Sequence, residues 1–425
     1  MSLSTTTATP IAGLDASRPV EKIYGETPYI QQGTAEFFRT SIALLCAGFA
    51  TFALLYCVQP LLPAFSQEFG IGAAASSLSL SLPSIALAFG TLIASSLSEA
   101  FGRKPLMVGA VFASSALTLA SAFAPSWESF LVLRTLQGLA LSGLPAAAMA
   151  YLAEEVHPRS IGLAMGLYIS GNALGGMAGR VGVGLVSDHY SWHYAMGFMG
   201  VLGLLSAGLF LVNLRPSRHF TPRALNVGAL AGGFATHLRE PGLRVLFLEG
   251  FLIMGGLVTL YNYIGYRLMA PPLGLSQTLI GLIFTVYIVG IGSSTFVGAL
   301  GDRLGRARLF WIALGIAILG LLVTLIPTVT AAVLGLAITT FGFFAAHSMA
   351  SAWVGRRAIR AKAQASSLYL FCCYMGASVL GSTGGWLWSG WGWGGVVSLI
   401  GGAMLLAIGC AAWLSRLKPV AQPAA

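Results

Sequence analysis

A chain of 425 residues with 56% hydrophobic and only 8% charged side chains is too sparsely charged for a water-soluble domain, in which roughly a quarter of residues carry charge. Its 54 glycines follow no Gly-X-Y period, which excludes a collagen-like helix. The apolar stretches run to about 20 residues instead of alternating over about 10, which argues against a transmembrane β-barrel. The formal net charge of +10 could suggest nucleic acid, but its distribution along the chain gives it another meaning.

In chain order, residues 1–38 are polar and threonine-rich and carry Asp15, Glu21, Glu26 and Glu36. They lack the apolar core of a signal peptide and read as a cytosolic N-terminal tail. Apolar windows long enough to cross a bilayer follow at about 41–64, 77–98, 106–124, 129–152, 162–186 and 194–213 (spans 1–6). A polar, basic connection covers 215–244. Six more windows lie at about 245–269, 279–300, 309–326, 330–353, 366–388 and 395–414 (spans 7–12). The predicted fold is an all-α membrane protein of twelve transmembrane helices in two six-helix bundles. The bundles are residues 39–214 and 245–415, joined by the 215–244 linker and followed by a cytosolic tail at 416–425. Cys46, Cys57, Cys372, Cys373 and Cys410 all fall inside apolar windows without a CxxC pair, so they read as small buried hydrophobes.

Lysine and arginine set the orientation. Of the 23 present, all but Arg134, Arg180 and Arg267 fall on the tails, the linker or the loops of one face. Loops of the other face carry Glu68, Glu128 and Asp188 instead. The positive charge is a topology signal that places both termini in the cytosol, and nucleic acid is not an expected partner.

The two halves share a motif. Span 2 ends in Ser95-Ser-Leu-Ser-Glu99-Ala-Phe-Gly102-Arg103-Lys104, and span 8 in Gly298-Ala-Leu-Gly-Asp302-Arg303-Leu-Gly305-Arg306. Glu99, Gly102 and Arg103 match Asp302, Gly305 and Arg306 at a constant offset of 203. Parallel six-helix repeats of this kind are a transporter architecture. From about 40 to 415 the chain resembles the major facilitator superfamily. Its Gly-x-x-x-Asp-Arg-x-Gly-Arg pattern is complete in the second copy, whereas the first has Ser95, Glu99 and Ala100 at the Gly, Asp and Arg places. A carboxylate at a helix end can engage a neighbouring helix N-terminus, glycine permits the tight turn, and arginine holds the link at an anionic membrane surface. The resemblance implies a cytosolic gate made of Glu99, Gly102, Arg103, Gly298, Asp302, Arg303, Gly305 and Arg306.

Span 4 carries Leu131-Val-Leu-Arg134-Thr-Leu-Gln137-Gly138, which looks like the Leu-x-x-Arg-x-x-Gln-Gly pattern of proton-coupled members of that family. Arg134 and Gln137 share a helix face, with Arg134 about 9 Å inside the span. An intramembrane arginine is a functional-site candidate by default. Span 5 reads Gly171-Asn172-Ala-Leu-Gly175-Gly176-Met-Ala-Gly179-Arg180. Gly171, Gly175 and Gly179 form a small-residue stripe suited to close helix packing. The stretch resembles the Gly-x-x-x-Gly-Pro-x-x-Gly-Gly pattern of drug–proton antiporters, with Gly176 in the proline place and Arg180 in that of the last glycine. The nearest group by this resemblance is the acriflavine-sensitivity exporters of the bacterial inner membrane. Arg180 either faces the cavity or reaches outward beside Asp188.

Span 1 has no acid. Glu249, about a turn and a half into span 7, is the one acid in an apolar window, and it reads either as the coupling proton site or as an interfacial cap. Asn172, Asn262 and Gln59 are weaker polar candidates for the cavity, and His347 reads first as a packing donor. No lysine precedes Ser or Thr as a Walker A loop requires, and no histidine begins an HExxH.

The expected function is secondary active transport by alternating access. The specific expectation is proton-coupled export of a small amphipathic or organic compound across a bacterial inner membrane, by a monomer without cofactors. An uptake or exchange carrier for an organic anion is the alternative, favoured by Arg134 and Arg180. A receptor or membrane-embedded enzyme would call for a soluble domain or a catalytic constellation, and the sequence offers neither.

Overall fold

The computed structural model describes residues 29–220, 227–304, 306–359 and 362–417. Among these, ten helices are long and apolar enough to cross a bilayer. One of them, Gln364–Arg416, holds two spans, because Gly392 interrupts it at φ +58° and ψ −148°, a conformation that costs a residue without Cβ little. The shorter apolar helix Arg308–Val323 completes the set of twelve.

The helices begin where side chains can satisfy their first N–H groups. Thr34, Ser276 and Thr328 accept from the amides of Phe37, Leu279 and Ala331. Ser126 and Ser129 form a reciprocal capping box at the head of span 4. Three spans expected as continuous are interrupted. Span 1 is helical over Ala35–Tyr56, tightens into a 3-10 turn at Gln59–Leu61, and resumes over Leu62–Glu68. Pro60 and Pro63 have no N–H for the helical ladder, which accounts for the break. Span 4 divides into Trp127–Leu141 and Pro145–Glu155, again at a proline, and span 8 passes through a 3-10 turn at Phe284–Val286.

The linker departs from its reading as a polar connection. It contains a helix, Val227–Arg239, and span 7 starts at Pro241, with the Glu240 side chain capping Leu243. Phe234 of that helix packs on the second core and His237 is buried. An apolar residue with a place to dock lets a short helix form that its length and Gly228, Gly232 and Gly233 disfavour.

Two hydrophobic cores result. One is built around Leu44, Leu54, Phe130 and Met199, the other around Leu246, Ile253, Phe310 and Phe343. In the first, Phe65, Phe69, Trp127, Phe130 and Trp192 form a ring cluster with centroids 5.0 to 6.5 Å apart, within the range of favourable aromatic pairs. Span 5 lies flat on span 1, with Gly171, Gly175 and Gly179 facing Leu45, Phe49 and Ala53. Both sets advance by four residues, so the backbones touch along two helical turns. A methyl group at Gly179 would lie 2.9 Å from Cα of Ala53.

Candidate functional site

The interruption of span 1 organises the interior of the first half. Where its helix ends, carbonyl groups lose their intrahelical donors. Arg134 and Gln137 supply replacements. Arg134 donates from Nε to the Ser79 carbonyl at 3.0 Å, from Nη1 to Leu54 at 2.9 Å and from Nη2 to Leu55 at 2.8 Å. It also donates to the Gln137 side chain, whose Nε2 binds the Leu54 carbonyl at 3.0 Å. Both residues are fully buried. Arg134, expected in the cavity, is engaged instead by the backbone of spans 1 and 2, which offsets the cost of a guanidinium inside the membrane.

Five residues further along span 1, Gln59 reaches the space between the halves. Its Oε1 accepts from Arg180 Nε at 2.7 Å, and its Nε2 donates to Asn262 Oδ1 at 2.8 Å. Arg180 has only donors, so it dictates the orientation of the Gln59 amide, which in turn dictates that of Asn262. The Asn262 nitrogen is left without a partner. The Arg180 guanidinium is sheathed by rings: Tyr56 at 4.8 Å, Tyr287 at 5.0 Å, Tyr261 at 5.5 Å and Phe284 at 6.0 Å to the centroids. Its Nη1 donates to the Gly176 carbonyl within span 5. It is 2% exposed, and no carboxylate pairs with it among the described residues. Arg180, Gln59, Tyr56, Tyr261, Tyr287, Met254, Leu257 and Val258 line a cavity of about 10 Å³, room for about one water. Asn172 lies elsewhere, half-buried against Gly48 in the interface of spans 1 and 5.

Glu249 lies deep in Pro241–Met269, fully buried, and neither carboxylate oxygen has a hydrogen-bond partner. The cap of that helix is Glu240, which removes the interfacial-cap reading of Glu249. Beside it, Gly250 faces Tyr369 and Cys373, and Tyr369 Oη meets His347 Nδ1 at 3.0 Å. Thirteen residues separate Glu249 from Asn262 along the helix, about 20 Å.

At the basic end, Gly102 turns the chain between spans 2 and 3 at φ +97°, a value that favours glycine. Arg103 is buried and paired with Glu154 at the end of span 4, at 2.6 Å, with its guanidinium 5.5 Å from the Phe220 ring. Glu99 is half-buried one turn earlier. The side chains of Asp302, Arg303 and Arg306, the surroundings of Gly298, and Gly305 altogether lie outside what the structure describes. Near Arg103, buried Glu155 accepts from the amides of Arg218 and His219 at 2.7 and 2.8 Å, tying the start of the linker to span 4.

The Major Facilitator Superfamily model matches residues 44–271 and 246–425. The chain belongs to the Major Facilitator Superfamily. It is 51% identical to the uncharacterized MFS-type transporter YybF of Bacillus subtilis (strain 168), over 91% of this chain and 96% of that one. It is 46% identical to the inner membrane transport protein YnfM of Escherichia coli (strain K12), over 89% and 91%. The crystal structure of the nucleoside transporter NupG shares the fold, with a TM-score of 0.74 at 14% identity over 89% of this chain and 100% of that one. The protein is thus a multi-pass membrane transporter of this superfamily, not an enzyme.

In this superfamily chain the halves meet at the end away from the basic loops. Ser66 and Tyr266 hydroxyls are 2.6 Å apart, and Tyr266 Oη also donates to the Leu62 carbonyl. Ser382 and Ser81 hydroxyls are 2.9 Å apart, and Ser378 Oγ donates to the Ser81 carbonyl at 3.0 Å. Gly184 rests against Gly281, and Thr278 donates to Asp188. Sequence reasoning missed this seam and the ring sheath of Arg180. Their members come from spans 1, 2, 5, 7, 8 and 11 and form no local pattern; the one available signal was a buried cation without an acid.

Proposed function

We propose that the protein is a proton-coupled secondary transporter that moves a small organic compound by alternating access. The moving units are the bundles 39–214 and 245–415, in a monomer of the bacterial inner membrane with both termini cytosolic. The observation that carries this reading is Glu249. A carboxyl group buried in a membrane helix with no donor to either oxygen is costly when ionised and tolerable when it holds its proton. Such a group is suited to take up and release a proton as its access to water changes. The hydrogen-bonded seam is then the extracytoplasmic gate in its closed state, and the Glu99–Arg103 and Asp302–Arg306 turns belong to the cytosolic gate. Export in exchange for protons, as in drug–proton antiporters and the acriflavine-sensitivity group, is the direction that the motifs of spans 4 and 5 favour. A carrier for an organic anion is the second reading, favoured by Arg180, a buried cation between the halves without an acidic partner. The test is reconstitution in liposomes with an internal pH dye. A panel of cationic dyes, sugars and organic anions should contain a compound whose addition moves protons in the parent and not in Glu249→Gln. Proton movement undiminished in that variant, or absent with every compound, defeats the reading.

A further inference from the structure

Gln59 lies in span 1 of the first half and Asn262 in span 7 of the second, and their hydrogen bond joins the halves directly. Arg180 joins this bond through Gln59 Oε1. This cluster has more donors than acceptors. The Asn262 nitrogen has no partner, and the hydrogen bonds of Arg180 leave from Nε and Nη1. The one side-chain oxygen that Arg180 receives is that of Gln59, a neutral acceptor on the guanidinium edge formed by Nε and Nη2. That edge matches a carboxylate, which can accept from both nitrogens at once and also neutralise the charge. The surrounding side chains are flat rings and aliphatic groups.

We propose that the Arg180 cluster, whose cavity here has room for about one water, widens to bind a small organic monoanion with a flat apolar body, in the simplest case an aromatic carboxylate, and that the Gln59 oxygen holds the carboxylate's place when the site is empty. The ligand's carboxylate takes the Nε–Nη2 edge and releases Gln59 Oε1. Gln59 is then free to turn, and its bond to Asn262 across the halves loses the orientation that Arg180 imposed. Binding thereby loosens a link that holds the halves together. The assignment rests on reading this cluster as the transport site.

The experiment measures equilibrium binding to the purified full-length protein in lipid nanodiscs. The probes are benzoate, benzamide and benzylammonium, which share a ring and differ in charge. Benzoate should bind at least about tenfold more tightly than the other two, and Arg180→Lys, which keeps the charge without the fork, should weaken it by a similar factor. Gln59→Ala should tighten benzoate binding several-fold, because the competing internal acceptor is gone. Gln59→Glu places a permanent carboxylate beside Arg180 and should abolish binding while the protein keeps its melting temperature, a result independent of whether Arg180 variants fold. Equal binding of benzoate and benzylammonium, no benzoate binding by the parent, or benzoate binding unaffected by Gln59→Glu overturns the proposal. Because no gradient is applied, failure here is separable from failure of proton coupling: uphill transport of another compound without benzoate binding removes only the anion site.

Discussion

Gln59 of the first half and Asn262 of the second hydrogen-bond to each other at 2.8 Å with neither side chain exposed. Their contact belongs to the same seam as Ser81 and Ser382, and a seam that must open during transport should arrest it when made covalent. With the native cysteines replaced, Ser81→Cys and Ser382→Cys together should form a disulfide, because the two hydroxyl oxygens are already 2.9 Å apart. Transport should stop on oxidation and return on reduction. Transport that continues through complete cross-linking would show that the seam does not open.

Arg134 should prove to be a clamp on the break in span 1. Arg134→Lys removes the planar fork and leaves carbonyls of Leu54, Leu55 or Ser79 without donors, at about 1–3 kcal/mol for each group left unsatisfied. Thermal unfolding of the variant in detergent should shift down by several degrees, and Gln137→Ala should shift it in the same direction. An unchanged melting temperature with lost substrate affinity would return Arg134 to the cavity.

Glu249→Gln should abolish accumulation driven by a pH gradient and retain downhill exchange. The variant carries a neutral side chain of the same shape, so insertion should be normal. Unchanged gradient-driven accumulation would remove Glu249 from the mechanism.

Glu240 supplies a pH-dependent contribution to stability. Burial pushes its carboxyl up, but the Arg357 guanidinium at 2.9 Å and the amides of Leu243 and Gly242 outweigh it and hold the group below the ordinary glutamate value. A carboxyl lowered in the folded state stabilises above its unfolded value, roughly 4.3, and that stability is lost as the pH falls through the folded value. The melting-temperature gap between parent and Glu240→Gln should therefore be full near neutral pH and shrink below about pH 4. A gap that does not change with pH would mean the ion pair contributes nothing through its charge.

Orientation is open to a labelling test. Single cysteines at Pro158, on the basic face, and Glu68, on the opposite face, are both at exposed positions. An impermeant thiol reagent added to intact cells should modify Glu68→Cys and spare Pro158→Cys. The reverse pattern would invert the topology.

Twelve spans, two repeats and the family were legible in the amino-acid order alone, because these follow from hydropathy summed over about 20 residues and from one motif present in both halves. It also indicated Arg134, Arg180 and Glu249 as the ionisable groups that needed an explanation inside the membrane. It did not determine what surrounds them. Arg134 and Arg180 have the same side chain, yet one is bound by backbone carbonyls, two of them from a broken helix, and the other by four rings and an amide between the halves. The linker helix was likewise illegible, since the core on which Phe234 packs is built by distant spans. Tertiary structure decided these matters because a buried guanidinium is defined by partners on other helices, and which helices meet is fixed by packing across the whole bundle.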